Sequence, residues 1–338
     1  MSDFRTEKDF FLLAIGTSSG GQAALKKILP KLPEDLNAAI CIVQHSPIAG
    51  LRTAELLSGI STLPIETARD GLPIKRGRVY VAPADHHLSF HKSKSVIHCS
   101  RGPRENGFRP SIDVLLRSAG ASFRQHAIGI VLTGLLDDGS VGAADLRACG
   151  GRLIVQEPDD AAYPDLPKSV LERTGAEKVL TLEDMPAVIA EFCKEYPRPE
   201  EPDGNWRSLM REVEISQGVL QGFEANIQRG KSSGYSCPEC GGPLWEQQKG
   251  ERLHFRCHTG HGFSRAALEQ EQQLGIEKAL YSALRILEER ARLLRNLQKR
   301  TNSFGRGFDP TDAYSKRAEE AEQQAENIRD ILHGNLTQ

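Results

Sequence analysis

The sequence predicts an α/β protein in which a doubly wound, mostly parallel sheet is followed by a small cysteine-bearing module and a C-terminal helical hairpin. Three observations support this prediction. Short apolar runs alternate with helical stretches between residues 10 and 190. A cluster of three cysteines follows, and beyond it apolar residues recur at helical spacing in a stretch rich in Glu, Gln, Arg and Leu. Because segments that alternate between strand and helix form parallel sheets covered by helices, the first half defines the fold class.

Five apolar runs are the predicted strands of the sheet. Each is nearly continuous, which is typical of strands buried on both faces of a parallel sheet. The runs are residues 11–15, 38–43, 78–82, 127–132 and 151–155. Helical stretches follow the first run at residues 23–29 and separate the last two at residues 141–149. Ligands of such sheets bind beyond the carboxyl ends of the strands, so the residues that directly follow each run are the first candidates for a site.

The composition excludes some classes of function. A formal net charge of -2 over 338 residues argues against a nucleic-acid binder, which usually carries a basic surplus. No apolar run approaches the ~20 residues needed to cross a bilayer. The first ten residues carry acidic side chains where a secretory signal is basic and then apolar. We therefore expect a cytoplasmic protein with no nucleic-acid partner.

Two breaks in composition divide the chain. Residues 195–204 contain three prolines and many charges and are typical of a linker, and residues 229–234 form a second, weaker break. The predicted parts are an α/β domain at 8–195, a linker that could hold a short helix at 196–233, a zinc-ribbon-like module at 234–264 and a helical hairpin at 265–335.

The C-terminal stretch predicts two helices. Apolar residues follow 4-3-4-3 steps from 280 to 294 and again from 314 to 332, with a glycine-bearing loop at 303–307 between them. Residues 309–312 (Asp-Pro-Thr-Asp) supply a cap and first turn for the second helix. Two interpretations remain open, namely packing within this chain and a coiled coil that binds a partner, including self-association through these helices.

A candidate nucleophile follows the first strand. Gly16-Thr17-Ser18-Ser19-Gly20 matches G-x-S-x-G between a predicted strand and a predicted helix. Small flanking residues permit a sharp turn that lifts the serine hydroxyl above the sheet. The alternative is a glycine-rich turn that binds phosphate, but the chain lacks G-x-G-x-x-G here and no lysine follows Gly21. We therefore predict that Ser18 is a nucleophile.

Partners for this serine follow two other strands. His45, in Gln44-His45, comes directly after the second run, and Asp137 and Asp138 follow the run at 127–132. A serine nucleophile needs a general base, and the base needs an acid to orient it. An Asp-Gly pair after a strand is often only a turn or a helix cap. Three residue types of a triad at three strand ends nevertheless predict a Ser-His-Asp site, with either aspartate as the acid.

These motifs resemble those of the chemotaxis protein-glutamate methylesterases (CheB). That family has its serine in G-A-S-[TA]-G-G, its histidine in Q-H and its aspartate in T-G-M-G-x-D-G. The matching stretches here are residues 16–21, 44–45 and 133–139, and similar blocks lie at 70–71, 80–88 and 109–115. The resemblance runs in order from about residue 10 to residue 190. It implies that Ser18 is the nucleophile, His45 the base and Asp138 the orienting acid, with Asp137 at a variable position.

The resemblance also implies a reaction. The serine attacks a γ-glutamyl methyl ester, methanol leaves, and water releases a glutamate carboxylate; glutamine deamidation would use the same acyl-enzyme. It implies catalysis without a cofactor, a backbone oxyanion donor near Leu135, and a methylated chemoreceptor or similar signalling protein as partner. A methyltransferase, bound through the C-terminal helices, is a further candidate partner. Two alternatives stay open: an esterase or amidase with a substrate outside chemotaxis, and a catalytically silent scaffold that binds signalling partners.

The chain departs from the family pattern in two ways. Leu135 replaces Met and Leu136 replaces Gly, so a side chain at 136 could narrow the site or change its substrate. Family members known from chemotaxis carry an N-terminal receiver domain, whereas few residues precede the first strand here. We therefore expect no phosphorelay control within the chain. Our hypothesis is that the C-terminal region replaces it as a regulatory or targeting module.

The cysteine cluster predicts a metal site. Cys237 and Cys240 form a C-P-x-C-G turn, Cys257 follows after sixteen residues, and His261 follows Cys257. Two predicted strands, 244–246 and 253–256, flank a turn at 249–250. A Cys3His set is typical of closed, tetrahedral structural Zn2+, which would stabilise so small a module. His258 is a rival for the fourth ligand.

Overall fold

The structure is a computed structural model that describes residues 10–45, 53–90, 96–195, 206–218, 230–249, 252–302 and 311–334. Several predicted features therefore lie outside the described residues. They are part of the linker, Gly250 of the ribbon turn, the loop at 303–307 and residues 309–310 of the cap. The chain divides into two compact units, Met1–Leu268 and Glu269–Gln338. The predicted boundaries at residues 195 and 233 both fall inside the first unit.

A seven-stranded parallel sheet forms the centre of the first unit. In chain order the strands up to residue 180 are β1 (Phe11–Thr17), β2 (Ala38–Gln44), β3 (Ile65–Thr67), β4 (Val79–Val81), β5 (His87–Phe90), β6 (Ile97–Ser100), β7 (Ala127–Val131), β8 (Arg152–Gln156) and β9 (Lys178–Leu180). The order across the sheet is β3-β4-β2-β1-β7-β8-β9, and every neighbouring pair is parallel. Strands β5 and β6 form a separate antiparallel pair. The predicted α/β fold with a doubly wound sheet is confirmed.

Helices cover the sheet on both faces. They are α1 (Gly21–Ile28), α2 (Thr53–Ser58), α3 (Ile112–Phe123), α4 (Ser140–Ala148), α5 (Asp165–Thr174), α6 (Met185–Phe192) and α7 (Trp206–Ser216). Alternate residues of β1 belong to different cores: Phe11, Leu13 and Ile15 to one, Leu12 and Ala14 to the other. Because all seven residues of β1 are buried, the strand reads as a continuous apolar run.

The predicted strands correspond to β1, β2, β4, β7 and β8. Strands β3 and β9 were not predicted; they are the edge strands, have three residues each and are half-buried or exposed. Short, partly exposed strands lack the continuous apolar run on which the prediction depends.

The cysteine module is an antiparallel sheet within the first unit. Its strands are β10 (Lys231–Ser236), β11 (Pro243–Lys249), β12 (Arg252–Cys257) and β13 (Gly262–Ser264), paired in that order. We call residues 230–264 the ribbon. Among the described residues, its core contains few apolar side chains, namely Leu244, Phe255 and Phe263 together with Cys237 and Cys257, and Leu268 from the following helix packs against them. The ribbon therefore has little apolar burial of its own to stabilise it.

The segment predicted as a linker contains a buried helix. Three apolar side chains of α7, Leu209, Met210 and Val213, share a small core with Ala121 of α3 and with Cys149. Their spacing of three and four residues places them on one face of the helix. The composition near residue 200 thus indicated a break, but the chain resumes packing on the α/β core before the ribbon begins.

The second unit is helical. It contains most of α8 (Arg265–Asn302) and all of α9 (Thr311–Leu332). Arg295 pairs with Glu322 and Arg329 pairs with Glu288, which makes the two helices antiparallel. Five residues of the predicted stripes are buried: Ala291, Leu294, Ala318, Ala321 and Ala325. No helix in the described part of the chain is both long and apolar enough to cross a membrane.

Candidate active site

Ser18 lies in a turn at the carboxyl end of β1. Its backbone N–H donates to the carbonyl of Thr133, 3.1 Å away, which ties the turn to the end of the neighbouring strand β7. Gly20 has a φ of 79°, a left-handed conformation that glycine adopts without strain, and α1 begins at the next residue. A Cβ on Gly134 would lie 2.9 Å from Cβ of Ser18, so only glycine permits this approach. The sequence thus folds the serine into a tight turn between two strand ends.

His45 lies beside this turn. It directly follows β2, and its backbone N–H donates to the carbonyl of Thr17, the residue before Ser18, at 3.0 Å. The imidazole stacks on the ring of Phe108, with centroids 3.9 Å apart and planes 7° apart. The side chain of His45 is 8% exposed. Stacking fixes the plane of the imidazole and shields one face, and nothing in the sequence had singled out Phe108.

Asp138 lies against His45. Nε2 of His45 is 3.0 Å from Oδ2 of Asp138, and that oxygen also accepts from the backbone N–H of Ile112 at 2.7 Å. The other carboxylate oxygen accepts from the hydroxyl of Ser111 at 2.8 Å and from the amide nitrogen of Asn106 at 2.9 Å. Ser111 is the N-cap of α3, so the carboxylate occupies the positive end of that helix.

These contacts decide the charge of Asp138. Burial by itself raises the pKa of a carboxyl, yet the contacts with His45, Asn106 and Ile112 outweigh burial and hold the pKa of Asp138 below its ordinary value. Asp138 is therefore an anion at neutral pH. With the imidazole proton on Nε2, facing this anion, Nδ1 of His45 is left as a proton acceptor. Nδ1 is buried and has no hydrogen-bond partner among the described residues.

Asp137 points to a different partner. Its Oδ1 accepts from the hydroxyl of Ser264, at 2.8 Å, in the last strand of the ribbon. Burial and the nearby charge of Asp138 raise the pKa of Asp137, against the lowering effect of the Ser264 hydrogen bond. Of the two candidate acids, the structure brings Asp138 and not Asp137 to His45.

Asp113 is a third buried carboxylate close to Asp138. Oδ1 of Asp113 accepts from the backbone N–H groups of Gly139 and Gly142, at 2.9 and 2.6 Å, and so caps the start of α4. Its Oδ2 accepts from the amide nitrogen of Asn106 at 2.9 Å. Burial, followed by the charge of Asp138, raises the pKa of Asp113. The single amide nitrogen of Asn106 thus lies between two buried carboxylates.

His87 is a structural histidine below the site. Its Nε2 donates to the carbonyl of Pro103 at 2.9 Å, and its Nδ1 accepts from the backbone N–H of Ser111 at 3.2 Å. Burial lowers the pKa of His87 to about 4, which keeps the ring neutral and its tautomer fixed. His87 therefore holds the N-cap that contacts Asp138.

The turn at residues 134–136 contains the two residues that differ from the family motif, Leu135 and Leu136. Leu135 is 43% exposed, so its side chain is available to contact a ligand. Leu136 has a φ of 65°. The family pattern has glycine at this position, and glycine adopts a left-handed conformation without strain. The same conformation costs leucine roughly 1–2 kcal/mol, so the backbone of Leu136 is strained. The oxyanion donor expected near Leu135 stays a prediction.

Four predicted metal ligands come together in the ribbon. Ligand atoms of Cys237, Cys240, Cys257 and His261 all lie within 4.8 Å of one another. The Sγ atoms of Cys240 and Cys257 are 3.8 Å apart, and Nδ1 of His261 lies 3.5 Å from Sγ of Cys257. Tetrahedral zinc with bonds of about 2.3 Å to sulfur and about 2.0 Å to nitrogen requires separations of about 3.8 and 3.5 Å. The donor set and its spacing therefore fit zinc.

The thiols also show the electrostatics of a ligand cluster. The contact with Cys237 lowers the pKa of Cys257. Burial raises the pKa of Cys240, but hydrogen bonds from Thr259, the backbone of Gly242 and His261 together outweigh it and lower that pKa. Cys237 takes the opposite shift, since its contact with Cys257 raises its pKa. Metal binding requires thiolates, and two of the three sulfurs are biased toward that form. His258, the rival ligand, lies outside this group and its ring lies close to Gly242.

Three residues at the site were missed by the sequence reasoning: Asn106, Phe108 and Ser111. Ser111 lies in a block that resembles the family, and Asn106-Gly107 is a common turn pair, but neither pattern indicates contact with Asp138.

Comparison with known proteins gives a consistent picture. The sequence model described as CheB methylesterase matches residues 13–189. Three curated relatives carry the name protein-glutamate methylesterase/protein-glutamine glutaminase. The one from Pyrococcus horikoshii is 34% identical, with 52% of this chain and 49% of the relative covered. The one from Treponema pallidum is 35% identical (55% and 47% covered), and one from Geobacter metallireducens is 37% identical (54% and 50% covered).

A solved structure of the same family has a similar fold. The crystal structure of the Thermotoga maritima CheB methylesterase catalytic domain is similar, with a TM-score of 0.52 and 32% identity, over 54% of this chain and 98% of that one. The present chain spans about half the length of the curated relatives that it matches.

Proposed function

Because the chain belongs to the CheB methylesterase family, we propose that it is a serine hydrolase that removes methyl esters from glutamate side chains of a receptor-type protein. The observation that carries this proposal is the approach of His45 Nε2 to within 3.0 Å of Asp138, beside the turn that presents Ser18. Relatives are named as glutaminases too, so we include deamidation of glutamine, which proceeds through the same acyl-enzyme.

The proposed mechanism assigns one role to each member of the triad. Nδ1 of His45 takes the hydroxyl proton of Ser18 as the serine oxygen attacks the ester carbonyl. Asp138 stays anionic, because its hydrogen bonds hold its pKa low, and stabilises the imidazolium that forms. The imidazolium then protonates the methoxide leaving group as methanol. A water molecule, deprotonated by His45 in turn, hydrolyses the acyl-enzyme to the glutamate carboxylate.

We propose a structural zinc ion in the ribbon, held by Cys237, Cys240, Cys257 and His261. Four protein ligands leave no open coordination position, so the ion would supply folding energy and not chemistry. The small core of the ribbon supports this assignment, since metal binding typically supplies about 10–16 kcal/mol to zinc-finger peptides of this size.

The proposed substrate class follows from the family, whereas the choice among substrates of that class depends on residues that differ from the family motif. The exposed Leu135 and the half-buried Leu136 lie beside the Ser18 turn, where the ester group would bind. We propose a methylated chemoreceptor or a similar signalling protein as substrate. Association with a methyltransferase and self-association through α8 and α9 remain predictions from the sequence.

A serine-directed phosphonate tests the chemistry. We expect labelling at Ser18 in the wild type, loss of labelling in His45→Ala, and unchanged labelling in His333→Ala, a matched control with an exposed histidine. Absence of labelling, together with equal hydrolysis of a simple ester by wild type and Ser18→Ala, would indicate a catalytically silent scaffold.

Methanol release from methylated chemoreceptor membranes tests the substrate. We expect release by the wild type and none by Ser18→Ala. Labelling of Ser18 without methanol release would instead assign the enzyme to a substrate outside chemotaxis.

A further inference from the structure

The last strand of the ribbon pairs with a loop of the α/β domain. We call residues 101–110 the support loop. Within it, Glu105 forms a parallel bridge with Gly262 of β13. The N–H of Asn106 donates to the carbonyl of Gly262 at 2.7 Å, and the N–H of Gly262 donates to the carbonyl of Arg104 at 3.2 Å. Backbone hydrogen bonds thus join the ribbon to the support loop.

Asn106 connects this junction to the catalytic aspartate. Its side-chain oxygen accepts from the N–H of Ser264 in β13 at 2.8 Å. Its side-chain nitrogen donates to Asp138 and to Asp113, each at 2.9 Å. The residue is 4% exposed and has a φ of 54°, a left-handed conformation that asparagine tolerates better than most residues. The oxygen of the Asn106 amide is therefore held by the ribbon, and its nitrogen is held by Asp138 and Asp113.

A buried ionic network strengthens the same junction. Arg256 donates to Glu105 of the support loop at 3.1 Å and to Glu212 of α7 at 2.8 Å. It also donates to the carbonyl of Gly260 at 2.6 Å. Arg256 precedes the ligand Cys257 in sequence and Gly260 precedes the ligand His261, so the network begins within the metal-binding loop. Displacing the ribbon would take this arginine from Glu212 and leave Glu105 with Arg117 of α3, so two buried ion pairs would be broken at a cost in free energy.

We propose that the metal-loaded ribbon is a structural part of the active site, with Asn106 as the positioning residue through which it holds Asp138. This inference rests on the proposed function of the triad. Without the ion, the ribbon lacks the core to keep β13 in place. Asn106 then loses its anchor on Ser264, Asp138 loses one of its hydrogen-bond donors, and His45 loses its fixed orientation. Loss of a hydrogen bond to a buried charge predicts a fall in reactivity of at least tenfold.

The test uses the full-length chain in three forms: zinc-loaded, treated with a chelator, and reloaded with zinc. The first readout is the second-order rate of phosphonate labelling at Ser18. The second is the low-field proton resonance of the imidazole N–H between His45 and Asp138, which requires no substrate. We expect chelation to slow labelling at least tenfold and to shift or abolish the resonance, and zinc to restore both.

Two variants separate positioning from folding. Asn106→Gly keeps the left-handed backbone but removes the amide, so we expect the same losses with zinc still bound. The melting temperature should fall, because the amide makes three buried hydrogen bonds, so labelling is measured well below the transition, where the variant is folded. Cys240→Ser weakens the metal site, whereas Cys99→Ala removes a cysteine outside it and serves as the control.

The outcomes are distinguishable. Unchanged labelling and an unchanged resonance after measured loss of zinc, or in Asn106→Gly, would overturn the proposal. If no form of the protein is labelled at Ser18, the proposed function fails, and the resonance alone then decides whether the ribbon positions Asp138.

Discussion

Replacing Asp138 with asparagine removes its charge and keeps its size, so the consequence can be worked out atom by atom. One carboxylate oxygen accepts from Ser111 and Asn106, and the other accepts from Ile112 and faces His45. Asparagine offers one oxygen and one NH2 group. Whichever way the amide turns, its NH2 group meets at least one hydrogen-bond donor, either Asn106 and Ser111 on one side or the backbone N–H of Ile112 on the other.

Both orientations disable the base. If the NH2 group faces His45, it donates to Nε2 and forces the ring proton onto Nδ1, which can no longer accept a proton from Ser18. If the oxygen faces His45, the anion that stabilises the imidazolium is still missing. We expect Asp138→Asn to lower kcat/KM by about 10^4-fold, the size of effect found when a triad histidine adopts the wrong tautomer. This corresponds to about 5 kcal/mol in the activation free energy.

The assay is methanol release under conditions where the rate is proportional to kcat/KM, with phosphonate labelling as a second measure. The control is Asp137→Asn, which removes a neighbouring charge that contacts Ser264 and not His45. We expect the control to stay within about tenfold of the wild type. Asp138→Asn retaining more than a tenth of the wild-type rate, or both variants falling equally, would refute the assignment.

Three further predictions concern stability. Leu136→Gly should leave the free energy of unfolding unchanged or raise it by up to about 1 kcal/mol, because relief of the left-handed strain exceeds the added flexibility of the unfolded chain; a clear drop in the melting temperature would contradict this. Burial lowers the pKa of His87 to about 4 in the folded protein, so between pH 6.5 and 4 only the unfolded state takes up a proton on this histidine. As the pH is lowered from 6.5 to 4, the free energy of unfolding should therefore decrease by up to about 3 kcal/mol more in the wild type than in His87→Gln. Arg256→Met should destabilise the zinc-loaded protein by about 3–5 kcal/mol in denaturant unfolding, because the buried Glu212 loses this partner while Glu105 keeps Arg117. The exposed Arg285→Met should have no measurable effect.

The sequence predicted the parts of the site that follow from local pattern. Strands buried on both faces are continuous apolar runs, and parallel strands bring their carboxyl ends to one edge. That reasoning selected Ser18 and His45 without any knowledge of contacts. The choice of Asp138 over Asp137 was different, since local pattern left both open and only the family resemblance separated them.

The supporting residues could not be predicted in this way. Asn106 meets Ser264 across 158 positions, and Arg117 meets Ser216 across 99. Such contacts depend on how the ribbon and α7 pack against the α/β core, which no local periodicity encodes. The composition near residue 200 had even indicated a separation, because prolines and charges mark a break in packing but do not show where the chain packs next.

The junction between the support loop and the ribbon has a consequence for sequence evolution. Glu105 and Asn106 belong to the half of the chain that matches the family, whereas Arg256 and Ser264 belong to the ribbon. A change on either side alone breaks a buried contact, so selection acts on the pairs and not on single positions. Among relatives that carry a similar ribbon, we expect positions 105 and 256 to covary. Where the ribbon is missing, Glu105 keeps its buried ion pair with Arg117 of α3, so we expect positions 105 and 117 to covary there instead.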